Sequence, residues 1–297
     1  MDSRQFIQAS NDRKLPAGYA GDVLVWDIDK TYLDTRFSSF RGLLAIPFEL
    51  AIDKRAVGGA PALLRALRTG PDEHAPRLTP LYFVSGSPPS LRTVIERKMT
   101  LDGVQFDGIT FKDQLRLLLH GRPRAIAEQV GYKLCALLLL RQELPKSVRF
   151  VLFGDDVERD VEAFLLFGDV LAGLRGPQLR ERLRAVGVGW PEVETALRLA
   201  AGIAVENDPV EKIFVHSQHG RFLTSTPDAR VIATRSFLQT ALVLFDMGRI
   251  HDAGVRAVVA ELRALRVPDE ALLELVDDAR RRLGVSARAA QPVINVS

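Results

Sequence analysis

Asp27 and Asp29 stand two residues apart directly after an apolar run, residues 23–26, and Thr31 follows at the same spacing. In an extended chain alternate residues share a side, so the two carboxyl groups face the same way. The run before them is rich in β-branched and aromatic residues and reads as a buried strand. Carboxylates do not belong inside such a strand. At its carboxyl end, in an open α/β sheet, they stand where ligands bind. Two like charges held close need a cation or a shared proton between them. Mg²⁺ is the natural candidate, because it takes oxygen ligands and keeps waters that a phosphate can displace.

A second acidic strand end lies far downstream. Residues 148–153 read as a strand, followed by Gly154, Asp155 and Asp156, with Asp160 opening the next helix. The glycine permits close approach of the backbone to a bound group. Asp155 could complete a metal shell, with Asp160 and Asp156 as outer supports. Between the two acidic ends, residues 79–84 read as a strand that finishes in Ser85-Gly86-Ser87-Pro88. A hydroxyl there, beside a helix start, can donate to a phosphate oxygen or can cap the helix. Ser87 is the better cap because Pro88 follows it, which leaves Ser85 for the ligand. Gly131 reads as a helix break, so Lys133 would fall in the first turn of an apolar helix, where a cation opposes the helix dipole. Lys112, at the end of a candidate strand over residues 106–112, is the rival cation. His216 and His219 lie near the end of a strand expected over 210–216; they could be ligands or acid–base groups, though such residues are more often polar loop side chains.

The elements that must position these groups are legible as strands alternating with helices. Residues 1–20 read as an irregular lead-in and 37–54 as one or two helices interrupted near Pro47. Further helices are expected over 61–68, from about Pro123, and over 176–185 and 191–201. From 226 onward the pattern is helical throughout, over 228–246, 251–265 and 268–283, with the last dozen residues frayed.

The chain has 297 residues, 47% apolar, enough for a large packed core. A net charge of +3, without a dense Lys/Arg tract, argues against nucleic acid. Cys135 is the only cysteine, which excludes an intrachain disulfide and a thiolate metal site. The first twenty residues do not read as a signal peptide, and the longest apolar runs are far shorter than a membrane span. These features point to a cytoplasmic protein without a transmembrane segment and leave peripheral membrane contact open.

Asp27-x-Asp29-x-Thr31 resembles the first motif of the haloacid dehalogenase superfamily. Ser85, Lys133, and Asp155 with Asp160 resemble its later motifs, in the same order. Ser85-Gly86-Ser87-Pro88, Tyr132-Lys133-Leu134 and the strand ending in Gly154-Asp155-x4-Asp160 look like the catalytic domain of the actin-patch-associated phosphatidate phosphatases and their bacterial relatives. The resemblance covers roughly residues 22 to 250 through short motifs. Lys30 departs from that family, which usually carries Asp there. Gly154-Asp155-Asp156-Val157 departs from its Gly-Asp-Ser-Gly, and the insert over 168–204 is longer. These departures bear on the lipid substrate more than on the phosphatase chemistry.

The resemblance implies a Rossmann-like α/β fold with a mostly parallel, five-stranded sheet flanked by helices. Residues 1–220 would form the core, with a small helical cover at about 32–60, and 221–297 a helical extension packed on it. It also implies a Mg²⁺-dependent phosphatase acting on a phosphorylated small molecule or lipid headgroup. Asp27 would be the nucleophile and Asp29 the general acid and base. Mg²⁺ would sit on Asp27, the main-chain carbonyl of Asp29, and Asp155. Ser85, Lys133 and Thr31 would be the phosphate-binding residues, with Lys133 also shielding Asp27 as a catalytic group and Thr31 supporting the loop. The alternative is a phosphate-binding, regulatory or protein-interaction role on the same scaffold.

Overall fold

The apolar run ending at Asp27 forms the central strand of a seven-stranded sheet. The computed structural model describes residues 6–34, 55–113, 129–205 and 207–294. In chain order the strands are β1 (Ile7–Asn11), β2 (Asp22–Asp27), β3 (Leu81–Ser85), β4 (Gly108–Lys112), β5 (Arg149–Asp155), β6 (Val210–His216) and β7 (Val231–Thr234). Their order across the sheet is β1-β4-β3-β2-β5-β6-β7. Every neighbouring pair is parallel except β1 with β4. The architecture is therefore α/β and mostly parallel as expected, but the sheet has seven strands rather than five.

The two extra strands correct two expectations. The lead-in is not irregular: β1 adds antiparallel to β4 at the sheet edge. The stretch from 226 is not wholly helical: β7 pairs with β6, and the helix begins only at Phe237. The sheet thus runs on past residue 220 into the segment expected to be a helical extension.

Ten α-helices lie among the described residues. They are α1 (Ala60–Thr69), α2 (Arg92–Leu101), α3 (Gln129–Glu143), α4 (Asp160–Leu171), α5 (Gly176–Ala185), α6 (Trp190–Ala201), α7 (Phe237–Asp246), α8 (Asp252–Ala264), α9 (Asp269–Leu283) and α10 (Ala287–Ile294). The helix expected near Pro123, and most of the expected cover at 32–60, fall outside the described residues. The last dozen residues are not frayed as far as Ile294, because α10 buries Ala289, Ala290, Pro292 and Val293.

Alternation along each strand divides the core in two. Val23, Val25, Phe150 and Leu152 face a layer built on α3 to α6. Leu24, Trp26, Val151 and Phe153 face the opposite layer, built on α1, α2 and α7 to α10. An aromatic column strengthens this second face. Trp26 stacks on Phe153 with centroids 4.3 Å apart, and Phe153 on Phe214 at 5.2 Å. Phe237 of α7 reaches Trp26 at 5.4 Å and so joins the C-terminal helices to the central strand. Glu261 of α8 adds a polar tie. Its carboxylate accepts from Gly59 N and Ala62 N, both at 3.0 Å, and so caps the start of α1.

Gly131 does not break α3. It lies inside the helix because α6 packs against it. A Cβ at that position would stand 2.5 Å from Val188 Cγ1 and 2.9 Å from Glu192 Cβ. Lys133 consequently sits in the second turn of the described helix, and the expected conflict with the helix dipole is reduced.

Candidate active site

From β2 the chain moves outward through β3 and β4, then crosses back to β5 on the other side of β2. That reversal opens a crevice at the carboxyl ends of β2 and β5, the usual ligand position in such a sheet. Asp27 ends β2, Asp155 ends β5 and Ser85 ends β3. Asp27 shares the face of Val23 and Val25, toward α3, from which Lys133 projects.

Three buried carboxylates, Asp27, Asp155 and Asp160, bring ligand oxygens within 4.8 Å of one another. Lys133 Nζ is equally buried and stands 2.7 Å from Asp27 Oδ1. It also pairs closely with Asp160 and lies 3.3 Å from Glu158 Oε2. The approach to Asp27 is a charge contact rather than an aligned hydrogen bond, since neither Asp27 oxygen has a hydrogen-bond donor among the described residues. Asp155 Oδ1 accepts from Val157 N and from Glu158 N at 2.8 Å, while Oδ2 has no such donor.

Four carboxylates thus share one buried ammonium. Burial, then Asp160, raises the pKa of Asp27 well above the usual carboxylate range, against the pull of Lys133. Burial and Asp160 push Asp155 up to about 7. Asp160 is raised as well, chiefly by burial and with Glu158 adding to it. Burial pulls Lys133 down, but Asp160, Asp27, Glu158 and Asp155 together outweigh it and hold the lysine protonated. The cluster carries excess negative charge facing three donorless oxygens. That donor set fits a small, hard, oxygen-seeking dication such as Mg²⁺.

Asp160, expected as an outer support, brings its side chain into the cluster beside Asp27 and Asp155. The carboxylate of Asp29 turns elsewhere; its expected part in the metal site is its main-chain carbonyl. Ser85 Oγ donates to Asp29 Oδ2 at 2.9 Å, and Ser87 Oγ donates to Asp29 at 3.0 Å. Ser85 is therefore engaged with Asp29. Ser87 is not a helix cap: Pro88 precedes the short 3₁₀ turn Pro89–Leu91, which has no side-chain cap. Burial and Glu158 raise the pKa of Asp29, partly offset by Ser85, Lys133 and Ser87.

Gly154 leaves room for a close neighbour. A Cβ there would lie 2.6 Å from Asp160 Cβ and 2.8 Å from Asp160 Cγ. The close approach in this structure is to the Asp160 side chain. Asp160 Oδ2 in turn accepts from Asp155 N at 3.0 Å.

Thr31 is buried, and its hydroxyl has no hydrogen-bond partner among the described residues. Asp156 turns away from the cluster. It accepts from Ser217 Oγ at 2.7 Å and from the main-chain N–H groups of Gln218, His219 and Arg221. These donors outweigh its burial and hold its pKa low. Lys112 is buried with Nζ 5.6 Å from the centre of the Tyr132 ring, and Lys133 is the lysine beside Asp27. His216 points to the opposite face of the sheet and stacks on Phe237 at 4.9 Å. His219 is exposed on the loop held by Asp156.

Glu158 is not singled out by the sequence, and Ser87 stands out there only as a helix cap. Glu158 lies between two recognised aspartates, and that spacing was the one available signal. Tyr132 was seen only as a neighbour of Lys133, yet its hydroxyl donates to Ser85 O at 2.7 Å and steadies the end of β3. Two shallow clefts elsewhere, one beside His251 and Arg288 and one beside Arg235 and Arg281, contain none of these residues. Comparison with family models, curated proteins and solved structures finds no match to the chain.

Proposed function

We propose that the protein is a phosphatase of the haloacid dehalogenase type, Mg²⁺-dependent, hydrolysing a phosphomonoester through an aspartyl-phosphate on Asp27. Phosphatidate and small phosphorylated metabolites are the candidate substrates. The observation that carries this reading is the buried group of Asp27, Asp155 and Asp160 around Lys133 at the sheet's switch point.

Asp27, Asp155 and Asp160 would hold Mg²⁺, which when bound supplies positive charge for the phosphoryl oxygens. Asp27 attacks phosphorus, forming the new P–O bond as the bond to the leaving oxygen breaks. Asp29 gives its proton to that leaving oxygen. Burial and Glu158 favour the protonated carboxyl needed for this step. Ser85 and Ser87 fix the carboxyl that donates. A water then attacks phosphorus, Asp29 takes its proton, and the bond from phosphorus to Asp27 breaks to free phosphate. Lys133 offsets the charge of Asp27 so that an anionic ester can approach.

Hydrolysis of an aryl phosphate, with Mg²⁺ and with chelator, tests this for the wild type and Asp27→Asn. The expected result is metal-dependent turnover that the folded variant loses. A wild type that binds Mg²⁺ and phosphate without turnover would support the phosphate-binding alternative instead.

A further inference from the structure

We propose that Gln218 is a positioning residue that holds the loop carrying Asp29. The proposal rests on Asp27 and Asp29 being the reacting groups. Three observations combine in it. First, Lys30, between Asp29 and Thr31, has a φ of 63°. A side-chain-bearing residue is strained in that left-handed region and stays there only where its surroundings hold it. Second, the other bonds that reach the loop from outside fall on its neighbours and not on the Lys30 peptide: Ser85 and Ser87 donate to the Asp29 carboxylate, and Val57 N donates to Tyr32 O at 2.9 Å. Lys30 N donates to Leu33 O at 2.8 Å, and Tyr32 N and Leu33 N both donate to Ile28 O. Third, a bond from another part of the fold reaches the strained peptide itself: Gln218 Nε2 donates to Lys30 O at 2.8 Å.

The far end of this tie is itself anchored. Gln218 lies in the connection after β6, and Asp156 gathers that connection through Ser217 Oγ and the N–H groups of Gln218, His219 and Arg221. Ser217 N also donates to Thr234 O at 2.8 Å, which links the same connection to β7. Asp156 directly follows Asp155. One strand end therefore supplies a carboxylate to the acidic cluster and, with the next residue, fixes the loop that reaches across to Lys30. If the peptide after Lys30 rotated, Asp29 and the Lys30 ammonium, 3.8 Å from Glu158 Oε1, would shift together. Gln218 is exposed, so its replacement spares the core.

The test compares Gln218→Ala, Gln218→Glu and Gln218→Lys with the wild type. Ala and Glu remove the donor, whereas Lys keeps one. Two quantities are measured: aryl phosphate hydrolysis with Mg²⁺, and hydrogen exchange of the 28–33 segment in chelator. The expected result is a fall in kcat of about tenfold for Ala and Glu with KM changed less than about twofold, the size of one lost hydrogen bond. Exchange in 28–33 rises in those two variants, and Lys restores both quantities toward wild type. Unchanged exchange and kcat in Gln218→Ala, or a Gln218→Glu equal to the wild type, would overturn the proposal. A wild type without turnover refutes the phosphatase reading instead, and the exchange measurement then still decides whether Gln218 holds the loop.

Discussion

Replacing Asp27 by asparagine should make the metal-free protein more stable. The attraction and the repulsions nearest to it nearly cancel. At an effective dielectric constant of about 20, Lys133 at 2.7 Å attracts the carboxylate by roughly 6 kcal/mol. Asp155 and Asp160, within 4.8 Å, each repel it by at least about 3.5 kcal/mol. What remains is the cost of burying an ionised group without hydrogen-bond donors, which asparagine avoids. We expect Asp27→Asn to gain about 1–3 kcal/mol in chelator near pH 7.5. Because the folded pKa of Asp27 is raised, the folded wild type takes up a proton as pH falls, and its stability rises. The advantage of the variant should shrink toward zero near about pH 5 and reverse when Mg²⁺ is added. Urea unfolding of both proteins at several pH values, with and without metal, measures this. A variant less stable than the wild type by more than about 1 kcal/mol in chelator near pH 7.5 would refute the charge reasoning.

Three further outcomes follow from the same contacts. Lys133→Met leaves the buried carboxylates without their ammonium and should cost about 3–5 kcal/mol in chelator near pH 7.5, with part of the loss recovered near pH 5, as read by urea unfolding. Gly154→Ala drives a methyl group into Asp160 and should lower stability by about 1–3 kcal/mol while weakening Mg²⁺ binding, measurable by calorimetry. Glu261→Ala removes two acceptors from the start of α1 and should cost about 1–2 kcal/mol, a shift of a few degrees in Tm, without altering metal affinity.

The central strands were legible because apolar runs end abruptly in acids or serine, and β6 was placed at its observed limits, Val210–His216. β1 was missed because Gln8, Ser10 and Asn11 give an edge strand a polar composition with little apolar alternation. β7 was missed because four residues beside a long apolar helix carry no separate period. α10 carries no clear helical signal in the sequence because it is short and contains Pro292. Gly131 reads as a break because the reason for it lies across the fold, beside Val188 and Glu192, and no local rule shows that contact. The same limit applies to the cluster. The acids at strand ends are visible, but the packing that brings the Asp160 side chain inward and turns the Asp29 carboxylate toward Ser85 and Ser87 joins elements distant in the chain.

Calorimetric titration of Mg²⁺ into the wild type, Asp155→Asn and Asp160→Asn tests most directly whether the buried acids form one cation site. One ion should bind per chain with proton release, as expected when carboxyls of raised pKa become ligands. Both variants should lose that affinity while staying folded. A wild type that takes up no Mg²⁺, or variants that bind as tightly as the wild type, would contradict a single site built from Asp27, Asp155 and Asp160.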